Sequence, residues 1–386
     1  MNLKRILIDA TPVTNSVDGL SVYIVNLIKA LPTIDLAGLD FTILLNPGVH
    51  WPDLDEAMHG AGFTVLRAPI ATIGPRREWD MARFLAKHRS QFDLIHIPSN
   101  NYPLALSGGL CTIHDMTYLR WFDRKSALPG WRWAARCFLR TMVGRGLRKA
   151  DAIIAVSKAT RNELLREFGQ TTKQDITVIY EGWEHLNGYP DSGDAAFAFE
   201  QDGFLFFLGS NRVHKNLSNL LKAFERASDQ IPATKSLVIS GLRRTLSPED
   251  QATIANVNRQ RERIIFTGYI TNEQVRRLYE KADAFVFPSL SEGFGLPVLE
   301  AFHFGAPLLC SSTTSLPEIA GDAALYFDPA DPVSIADCIK SFYRDPALAS
   351  RLRAAGTARK SMFSWEKTAG ETVALYRRTL VPHATQ

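Results

Sequence analysis

The chain has 386 residues, 46% of them hydrophobic and 22% charged, and its 44 basic side chains against 40 acidic ones give a net charge of only +4. That balance is typical of a globular protein and excludes a disordered or fibrous chain. The length exceeds what one ordinary hydrophobic core occupies, so two domains are expected.

Short β-branched runs alternate with helix-length amphipathic stretches from the first residues onward. This alternation predicts parallel strands joined by crossover helices. In the first half the expected strands are RILIDA, FTILLN, DLIHIP, LCTIHD, DAIIAV and ITVIY, and the expected helices are 20–31, 79–88, 130–149 and a stretch after Ser157.

The alternation pauses at 181–203, where glycines, a proline and several acids predict a linker. It resumes with the strands FLFFLG, SLVISG, RIIFTG, AFVFPS and PLLCS and with helices at 216–228, 272–281, 297–304 and 365–380. We therefore predict an α/β fold with two Rossmann-like, doubly wound domains that face a central cleft. The expected domains are 1–183 and 184–362, with 363–386 forming a helix that crosses back to the first domain. Because ligands of open parallel sheets bind beyond the carboxyl ends of the strands, the cleft is the expected ligand site.

The segment FPSLSEGFGLPVLEAFHFGAP carries the most informative pattern. Pro297 stands at the expected first helical position, which suits its fixed φ and missing N–H. Glycines let the backbone around Gly295 and Leu296 approach a ligand closely, and the amides of a helix N-terminus favour an anion. Glu292 and Glu300 flank this anion site, and two acids beside a phosphate suit a sugar and a ribose. A purely structural loop is the alternative, since glycine and proline are common in such loops.

A second strand-loop-helix unit, LGSNRVHKNLSNLLKAF, places Gly209, Arg212, Lys215 and Asn216 in the loop that opens its helix. Lysine and arginine supply the positive charge needed against a diphosphate leaving group, whose negative charge grows as the glycosidic bond breaks. Lys215 is the expected diphosphate ligand. For Arg212, an exposed loop position without a function is the alternative.

These segments resemble family 4 of the glycosyltransferases, which have the GT-B architecture, and within it the bacterial polysaccharide mannosyltransferases. Glu292 to Glu300 match the family's E-x7-E signature, and Gly209 to Asn216 resemble its glycine-to-Lys-Asn loop. FTGYITNEQVRRLYEKADAFVFPSL resembles the strand, helix and strand that lead to the signature. The matches run almost unbroken over 204–332, with looser ones before that range and at FSWEKTAGETVALYRR.

The resemblance implies an acceptor-binding first domain and a second domain that binds a nucleotide sugar. It implies that Glu300 binds the ribose hydroxyls, that Glu292 contacts the transferred sugar, and that Lys215 and Arg212 bind the diphosphate. Backbone near Tyr269 would contact the base. The implied donor-binding residues are Gly19, Gly209, Arg212, Lys215, Tyr269, Ile270, Glu292, Gly293, Phe294, Gly295, Leu296 and Glu300.

In the first domain, LCTIHDMTY places His114 and Asp115 at the carboxyl end of a strand. A lone histidine in such a loop is more often structural than catalytic. The His-Asp pair resembles the family's, in which the histidine lies against the transferred sugar, and His114 is not expected to act as a general base. The implied catalytic residues are His114, Glu292, Lys215 and Arg212.

SVDGLSVYIVNL occupies the place of the family's N-terminal glycine-rich loop, whose backbone lies close to the donor phosphate and the acceptor. Only Gly19 is present there, and Ser21 stands where a second glycine is common. The resemblance also implies retention of anomeric configuration without a bound metal ion or other cofactor. In agreement, the sequence offers Lys215 and a helix N-terminus for the diphosphate instead of an Asp-x-Asp pair in a loop.

The two glutamates of the signature bear on the mechanism. A retaining hydrolase needs two carboxylates about 5 Å apart across the scissile bond, whereas Glu292 and Glu300 flank a helix start. We therefore predict that the departing phosphate takes the acceptor's proton on the same face of the sugar. The resemblance favours GDP-mannose as the donor and a bacterial surface glycan or lipid-linked glycan as the acceptor.

Positive charge is concentrated at 116–150, which holds nine Lys or Arg residues and one acid, Asp123. Arg132, Arg136 and Arg140 recur every fourth residue on the expected helix, close to the aromatic residues Trp121, Phe122, Trp131, Trp133 and Phe138. Such a surface attracts an anionic membrane or a lipid-diphosphate acceptor. A solvated face over a core of aromatics is the alternative. The hypothesis is peripheral attachment to the inner face of the membrane.

Other functions are weaker matches. A dehydrogenase is disfavoured because no Gly-x-Gly-x-x-Gly follows RILIDA. A glycan phosphorylase needs a pyridoxal lysine and a much longer chain. A nucleotide-sugar epimerase and a nucleotide-sugar-binding scaffold without turnover are the remaining alternatives.

Localisation signals are few. The opening MNLKRILIDATP has an apolar run of strand length instead of an export signal, and no run approaches the roughly eighteen apolar residues of a membrane-spanning helix. The cysteines lie far apart without a Cys-x-x-Cys pair, which argues against a zinc site and a disulfide framework; they are Cys111, Cys137, Cys310 and Cys338. We therefore expect a cytoplasmic protein that binds no nucleic acid.

Overall fold

The structure is a computed structural model that describes residues 3–15, 18–117, 129–169, 175–190, 203–210, 212–241 and 246–381. In the helix that begins at Pro129, side chains are described from residue 133 onward. The chain divides into two compact units. Unit 1 comprises Met1–Gly182 with Phe363–Gln386, and unit 2 comprises Trp183–Met362.

Unit 1 is built on a sheet of seven strands, in the order β3-β2-β1-β4-β5-β6-β7, and every neighbouring pair is parallel. The strands are β1 (Lys4–Asp9), β2 (Leu39–Leu45), β3 (Thr64–Arg67), β4 (Leu94–Ile97), β5 (Leu110–Ile113), β6 (Ala152–Ala155) and β7 (Ile176–Val178). The order reverses between β1 and β4, and the carboxyl ends of strands at such a switch point form a crevice where ligands bind.

Helices cross between these strands, because parallel neighbours cannot be joined by tight turns. They are α1 (Gly19–Ala30), α2 (Pro52–Gly60), α3 (Pro75–His88), α4 (Pro129–Lys149) and α5 (Lys158–Phe168). On one face of the sheet, buried side chains of α3, α4 and α5 pack with those of the central strands into a single apolar core. The central strands are buried along their whole length, as the continuous apolar runs predicted.

Unit 2 has a six-stranded parallel sheet in the order β10-β9-β8-β11-β12-β13. The strands are β8 (Leu205–Leu208), β9 (Leu237–Ser240), β10 (Ile264–Gly268), β11 (Ala284–Phe287), β12 (Leu308–Ser311) and β13 (Ala324–Phe327). The helices are α6 (Leu217–Ala227), α7 (Pro248–Val257), α8 (Asn272–Lys281), α9 (Leu296–His303), α10 (Leu316–Ala320), α11 (Pro332–Arg344) and α12 (Leu348–Lys360). Here the switch point lies between β8 and β11.

The last helix, α13 (Trp365–Leu380), belongs to unit 1. Its Trp365 ring packs edge-on against Tyr23 of α1, with centroids 6.0 Å apart. Its Tyr376 hydroxyl lies 2.6 Å from Nδ1 of His96 on β4. The chain therefore returns to its first sheet after completing unit 2.

The predicted α/β architecture with two Rossmann-like parallel sheets is confirmed. The sequence interpretation missed β3, β13 and several helices, among them α2 and α7. β3 lies at the sheet edge with most of its residues exposed, so it lacks the apolar run of a buried strand. The stretch predicted as a linker contains a 3₁₀-helix, Glu184–Gly188, and residues 191–202 lie outside the described ranges.

Candidate active site

The loop between β11 and α9 is shaped by Gly295. Its φ of +100° lies in the left-handed region, and a Cβ there would sit 2.8 Å from Cδ2 of Leu316, so a side chain cannot be accommodated without a shift. No side chain caps α9, because its N-cap residue is this glycine and Pro297 occupies its first turn. The positive end of the helix dipole is therefore presented without a capping side chain, which favours an anionic ligand.

Hydrogen bonds from the next loop hold this glycine loop in place. The buried Ser315 hydroxyl lies within hydrogen-bond distance of two carbonyl oxygens, those of Glu292 (3.1 Å) and Phe294 (2.9 Å), between which its single hydrogen is shared. The amide of Glu292 donates to Oγ1 of Thr314 (3.1 Å). The shape of the loop is therefore set by the protein itself before any ligand arrives.

Lys215 and Glu292, which the sequence predicted for diphosphate and sugar, are in direct contact. Nζ of Lys215 lies 2.7 Å from Oε1 of Glu292, and both side chains are largely buried. Nζ also lies 5.4 Å from the centroid of the Phe287 ring, within the range of a cation–π contact. The amide of Leu290 donates to the carbonyl of His214 (2.8 Å), which joins the two loops through the backbone. Burial, followed by the charge of Lys215, lowers the pKa of His214 to about 4, so this neighbour is neutral.

Asn216 fixes the loop that carries Lys215. It adopts a φ of +61°, which asparagine tolerates better than most residues. Its Nδ2 donates to the carbonyls of Pro288 (3.0 Å) and Pro329 (2.7 Å). Arg212 stands at the start of this turn, and its side chain is exposed. The structure therefore holds Lys215 by a contact with Glu292 and leaves Arg212 at the surface.

Glu300 is half-buried on α9 and accepts a hydrogen bond from the Tyr279 hydroxyl at 2.9 Å. Burial raises the pKa of Glu300 to about 7, while the Tyr279 hydrogen bond and the charge of Lys215 oppose the rise. Tyr279 comes from α8, and its ring stacks on Phe304 with centroids 6.0 Å apart. Tyr279 was not among the predicted site residues, because a tyrosine on an amphipathic helix resembles any other core residue.

The carboxyl ends of β8, β9 and β10 are joined through glycines. The amide of Gly209 donates to the carbonyl of Ser240, and that of Gly241 donates to the carbonyl of Gly268. Gly241 has a φ of +86°, and a Cβ there would lie 3.3 Å from the carbonyl oxygen of Gly209. Beyond Gly268, the Tyr269 side chain is 70% exposed and Ile270 is buried.

In unit 1, His114 follows β5 and is held by several contacts. Its amide donates to Oδ1 of Asn100 (2.8 Å), and its Nε2 lies 3.1 Å from the carbonyl of Pro98. Its Nδ1 lies 3.7 Å from Oε1 of Glu181. Burial raises the pKa of Glu181, while the nearby His114 ring opposes that rise. The sequence interpretation assigned Glu181 to the linker. Its position just after β7, at the same sheet edge as His114, could have indicated that it lies close to the histidine.

The N-terminus of α1 is capped by a side chain, that of Asp18. Asp18 accepts hydrogen bonds from the amide and the hydroxyl of Ser21, each at 3.0 Å, and the amide of Thr14 donates to the Ser21 hydroxyl at 3.2 Å. A Cβ at Gly19 would meet no atom within 4 Å, and Gly19 has no left-handed φ. The structure therefore shows no steric need for glycine at this position.

A buried ion pair lies at the end of β1. Nη2 of Arg77 contacts Oδ2 of Asp9, and its Nη1 donates to the Thr11 hydroxyl at 2.8 Å. Arg77 is 1% exposed and Asp9 is fully buried. The pair joins α3 to β1. Separating its partners is costly, because each would then be a buried charge without compensation. The sequence interpretation did not find it, since most arginines are exposed.

The basic helix α4 exposes part of the predicted membrane face. Trp133 is 73% exposed, and Arg136 and Arg140 are also exposed. The guanidinium of Arg140 is bonded to Glu167, with Nη1 3.1 Å from Oε2. The side chains of Trp131 and Arg132, and residues Trp121 and Phe122, lie outside the described parts of the chain. No helix in the described ranges is long and apolar enough to cross a membrane.

Two family models match the chain. The model for Glycosyltransferase Family 4 matches residues 17–184, and that for Glycosyl transferases group 1 matches residues 194–359. The two matches do not overlap, and together they include the loops that carry His114, Lys215 and Glu292 and every strand of the two sheets except β1.

Curated relatives are similar over most of the chain. O-antigen chain mannosyltransferase B of Escherichia coli is 27% identical over 390 residues, covering 97% of this chain and 99% of that protein. D-inositol 3-phosphate glycosyltransferase of Streptomyces avermitilis is 26% identical, covering 96% of this chain and 85% of the relative. The serotype-specific mannosyltransferase WbdA of Escherichia coli is 27% identical over 81% of this chain, which spans 38% of that longer protein.

Solved structures share the fold over the whole chain. Sucrose-phosphate synthase from Thermosynechococcus elongatus superposes with a TM-score of 0.71 at 20% identity, covering 98% of this chain and 100% of that one. HepE from Anabaena, in complex with UDP and glucose, gives a TM-score of 0.66 at 16% identity, covering 97% and 100%. At these identities the likeness concerns the fold alone.

Proposed function

Since this chain belongs to family 4 of the glycosyltransferases, we propose that it transfers mannose from a nucleotide-diphosphate donor to a bacterial surface glycan or lipid-linked glycan. The reaction retains the anomeric configuration and uses no metal ion or other cofactor. The sugar assignment is supported by the similarity to O-antigen mannosyltransferases over nearly the whole of both chains. The main support for the assigned donor site is the contact of Lys215 with Glu292, near the N-terminus of α9, which no side chain caps.

The diphosphate binds in unit 2. Lys215 and the N-terminus of α9 supply positive charge, and Gly295 gives the loop before the helix its left-handed turn. When the donor arrives, Lys215 moves part of its contact from Glu292 to phosphate oxygens. Glu292 then accepts hydrogen bonds from the sugar, and Glu300 accepts them from the ribose hydroxyls.

The bond between the anomeric carbon and the phosphate oxygen breaks while the acceptor oxygen bonds to the same face of the carbon. The departing phosphate takes the acceptor's proton, so no protein nucleophile is needed. Two contacts support this assignment. Glu292 is engaged by Lys215, and both ring nitrogens of His114 face protein oxygens. A glutamate or aspartate found covalently mannosylated with a slow donor would contradict it.

Metal independence is supported by the charges that the protein itself supplies. The Asp-x-Asp pair of the chain, Asp53 and Asp55, lies in the first turn of α2 in unit 1. Asp53 is paired with Lys29 at 3.1 Å and Asp55 with His50 at 2.7 Å. Transfer rates that are equal in EDTA and in millimolar Mg²⁺ are expected; a strict requirement for Mg²⁺ would overturn this part of the proposal.

The nucleotide can be identified by thermal shift with GDP, UDP and ADP, because a ligand that binds the folded state stabilises it by mass action. GDP is expected to raise the melting temperature most. Lys215→Ala and Glu300→Ala should each lose most of that shift. Lys222→Ala is the matched control, because Lys222 is also ion-paired in unit 2, to Glu249 at 2.7 Å, but lies on α6. If both site variants bind every nucleoside diphosphate like the parent, the donor site is misassigned.

A second proposal concerns attachment to an anionic membrane through α4. The exposed Trp133 ring and the exposed Arg136 provide the apolar and positive groups that an interfacial helix needs. Vesicle flotation should show binding that increases with anionic lipid and falls in Arg132→Glu combined with Arg136→Glu. Arg378→Glu, an exposed arginine on α13, is the control. Equal flotation of parent and double variant would remove the proposal.

A further inference from the structure

A cavity of about 650 Å³ lies in unit 1, between residues 137–148 of α4 and residues 165–169 at the end of α5. Its volume is within the range of small-molecule binding sites, about 300–1,000 Å³. α4 leads into β6, and α5 runs back from the end of β6, so the C-terminal parts of both helices lie at the amino edge of the sheet. The cavity is therefore separate from the loop of His114, which follows β5 at the carboxyl edge, and the proposed reaction does not use it.

The walls of this cavity are basic. Three arginines line it, Arg140, Arg148 and Arg166, against a single acid, Glu167. Arg140 is ion-paired to that acid, whereas neither Arg148 nor Arg166 has an ion pair within the part of the chain that the structure describes. Two guanidinium groups are therefore available to an anion that enters the cavity.

Arg140 is held in place at the wall. Its Nη1 lies 3.1 Å from Oε2 of Glu167, and its Nη2 lies 3.4 Å from the carbonyl oxygen of the same residue. Its guanidinium carbon lies 4.8 Å from the centroid of the Phe168 ring, a cation–π contact. Because these contacts already restrict the side chain, its remaining N–H donors can bind a ligand at a smaller entropic cost.

Gly144 makes room for a second arginine. A Cβ there would lie 3.4 Å from Nη1 of Arg148 and 3.3 Å from Cε1 of Phe168. The Arg148 guanidinium therefore folds back along α4 and lies over the glycine. Glycine is unfavourable in the interior of a helix, so its presence here is explained by the space that it leaves for these two groups.

The arrangement suits a phosphate group. Guanidinium groups bind oxyanions through paired N–H donors, and the oxygens of one phosphate can accept from several of them at once. A phosphate monoester carries about two negative charges near neutral pH, whereas a carboxylate carries one. The Phe168 ring and the 40% exposed Leu165 side chain also line the cavity, and they provide an apolar wall for the organic part of such a ligand.

We propose that this cavity is a second anion site, which binds a phosphate group through Arg140, Arg148 and Arg166. The site is independent of the donor site in unit 2 and of the proposed transfer reaction. Two sources offer this chemistry, a soluble phosphate compound and the headgroup of an anionic lipid. Trp133 and Arg136 precede Arg140 by seven and four residues and share its face of α4, so the cavity opens on the same face as the membrane contact proposed above.

Cys137 provides a reporter inside the cavity. It is partly exposed, whereas the other cysteines of the chain, Cys111, Cys310 and Cys338, are buried. A neutral thiol reagent should therefore label Cys137 selectively in the folded protein. A ligand that occupies the cavity should slow this labelling about tenfold when it is present at about ten times its Kd, because only the empty site reacts.

The experiment measures the labelling rate of Cys137 with two probes. One is inorganic pyrophosphate, and the other is a vesicle of phosphatidylcholine with or without phosphatidic acid. Protection is expected from the phosphate-bearing probes and should weaken as the ionic strength rises. It should be unchanged in Lys215→Ala, which separates this site from the donor site.

Substitution of the two unpaired arginines tests their role. Arg148→Gln combined with Arg166→Gln should raise the probe concentration for half-maximal protection at least about tenfold, because charge-assisted hydrogen bonds are lost. Lys149→Gln combined with Arg161→Gln is the matched control. It removes the same charge from exposed positions on the same two helices that do not line the cavity, so a shift below about threefold is expected.

Glu167→Gln tests the sign of the effect. It removes the acid from the cavity wall but keeps an oxygen that accepts from Arg140. The positive charge of the site rises, so the probe concentration for half-maximal protection should fall about threefold or more. Arginines that only stabilise the ends of their helices would give no such gain.

Protection by pyrophosphate would identify a soluble ligand, and protection by phosphatidic acid vesicles alone would identify a lipid headgroup; either result supports the site. The proposal is overturned if neither probe protects Cys137 in the parent. That measurement needs no variant, so a folding failure cannot hide the answer. Equal losses of protection in the arginine double variant and in its control would also overturn it, because binding would then reflect net charge alone.

Discussion

The two units use charged groups at the carboxyl ends of their strands in different ways. In unit 2, Lys215 and Glu292 meet between two loops and remain partly exposed, so an incoming ligand can exchange with their contact. In unit 1, Asp9 and Arg77 are closed off from solvent, and Glu181 is nearly so. In the proposed function, the charged pair of unit 2 recognises a ligand, whereas the buried charges of unit 1 fix the shape of its sheet edge. Substitutions of these charged residues are therefore expected to lower ligand affinity in unit 2 and the free energy of unfolding in unit 1.

The largest expected effect is on the stability of unit 1. Arg77→Met leaves Asp9 as a buried carboxylate without its partner, so the free energy of unfolding should fall by about 3–5 kcal/mol. Adding Asp9→Asn should recover a large part of the loss, because the uncompensated charge is then removed. Urea denaturation followed by circular dichroism measures both variants.

The neighbouring Arg76 provides the control for that experiment. Its side chain is 86% exposed, so Arg76→Met should change the free energy of unfolding by less than about 0.5 kcal/mol. If Arg77→Met lowers the free energy of unfolding by less than about 1 kcal/mol, the buried pair does not stabilise the contact between β1 and α3, and the stated difference between the units is wrong.

Substitutions of one glycine in each unit, Gly295 and Gly19, provide a second comparison between the units. Gly295→Ala introduces a Cβ at a φ of +100° and 2.8 Å from Leu316, so a loss of about 1–3 kcal/mol in the free energy of unfolding is expected. Nucleoside diphosphate affinity should fall as well, because the loop and the start of α9 shift. Isothermal titration calorimetry and denaturation together separate the two effects.

Gly19→Ala is the matched control in unit 1. An added Cβ there meets nothing within 4 Å, and the backbone is not left-handed. Stability and affinity should therefore both stay close to those of the parent. A large loss of donor affinity in Gly19→Ala would instead mean that the donor contacts this position closely.

The pH dependence of nucleotide binding follows from Glu300. Its pKa is raised to about 7, and only the ionised carboxylate accepts two ribose hydroxyl hydrogen bonds, so affinity should fall as the pH drops through 7. Tyr279→Phe removes a hydrogen bond that lowers this pKa, so the fall should begin at higher pH and affinity at pH 7 should drop about threefold to tenfold. Calorimetric titration between about pH 5.5 and 8.5 covers the transition.

The stability of the free protein should change with pH in the opposite direction, because the raised pKa of Glu300 means that its protonated form favours folding. Its contribution is present at acid pH and is lost as the pH rises towards 7. Tyr343→Phe is the control for both measurements, since its hydroxyl donates to Asp283 at 3.0 Å. A parent affinity that does not change between pH 6 and 8 would contradict the role of Glu300.

How much the sequence could predict also differs between the units. In unit 2, Gly295 and Pro297 mark the loop and the helix start from local pattern alone. The structure brings the predicted Lys215 and Glu292 into contact, whereas the Tyr279 hydroxyl that bonds to Glu300 was not predicted. In unit 1, the contacts of Glu181 and Arg77 join residues far apart in sequence. An acid beside glycines is typical of a linker, and an arginine in a helix is typical of a surface. Such pairs become visible only once the strand order brings their loops together.

The smallest effect concerns the start of α1, which occupies the place of the family's glycine-rich loop and which the structure shows to be capped by the Asp18 side chain. Ser21→Gly removes the hydroxyl that donates to Asp18 and accepts from Thr14, so the free energy of unfolding should fall by about 1 kcal/mol. The KM for the donor should change less than twofold, because the Ser21 hydroxyl is engaged by Asp18 and Thr14 within unit 1. Ser364→Ala, which removes the cap of α13, should cost a similar amount and serves as the control. If Ser21→Gly instead lowers the KM several-fold, the hydroxyl had been obstructing a donor-binding backbone, and unit 1 would share in recognising the ligand.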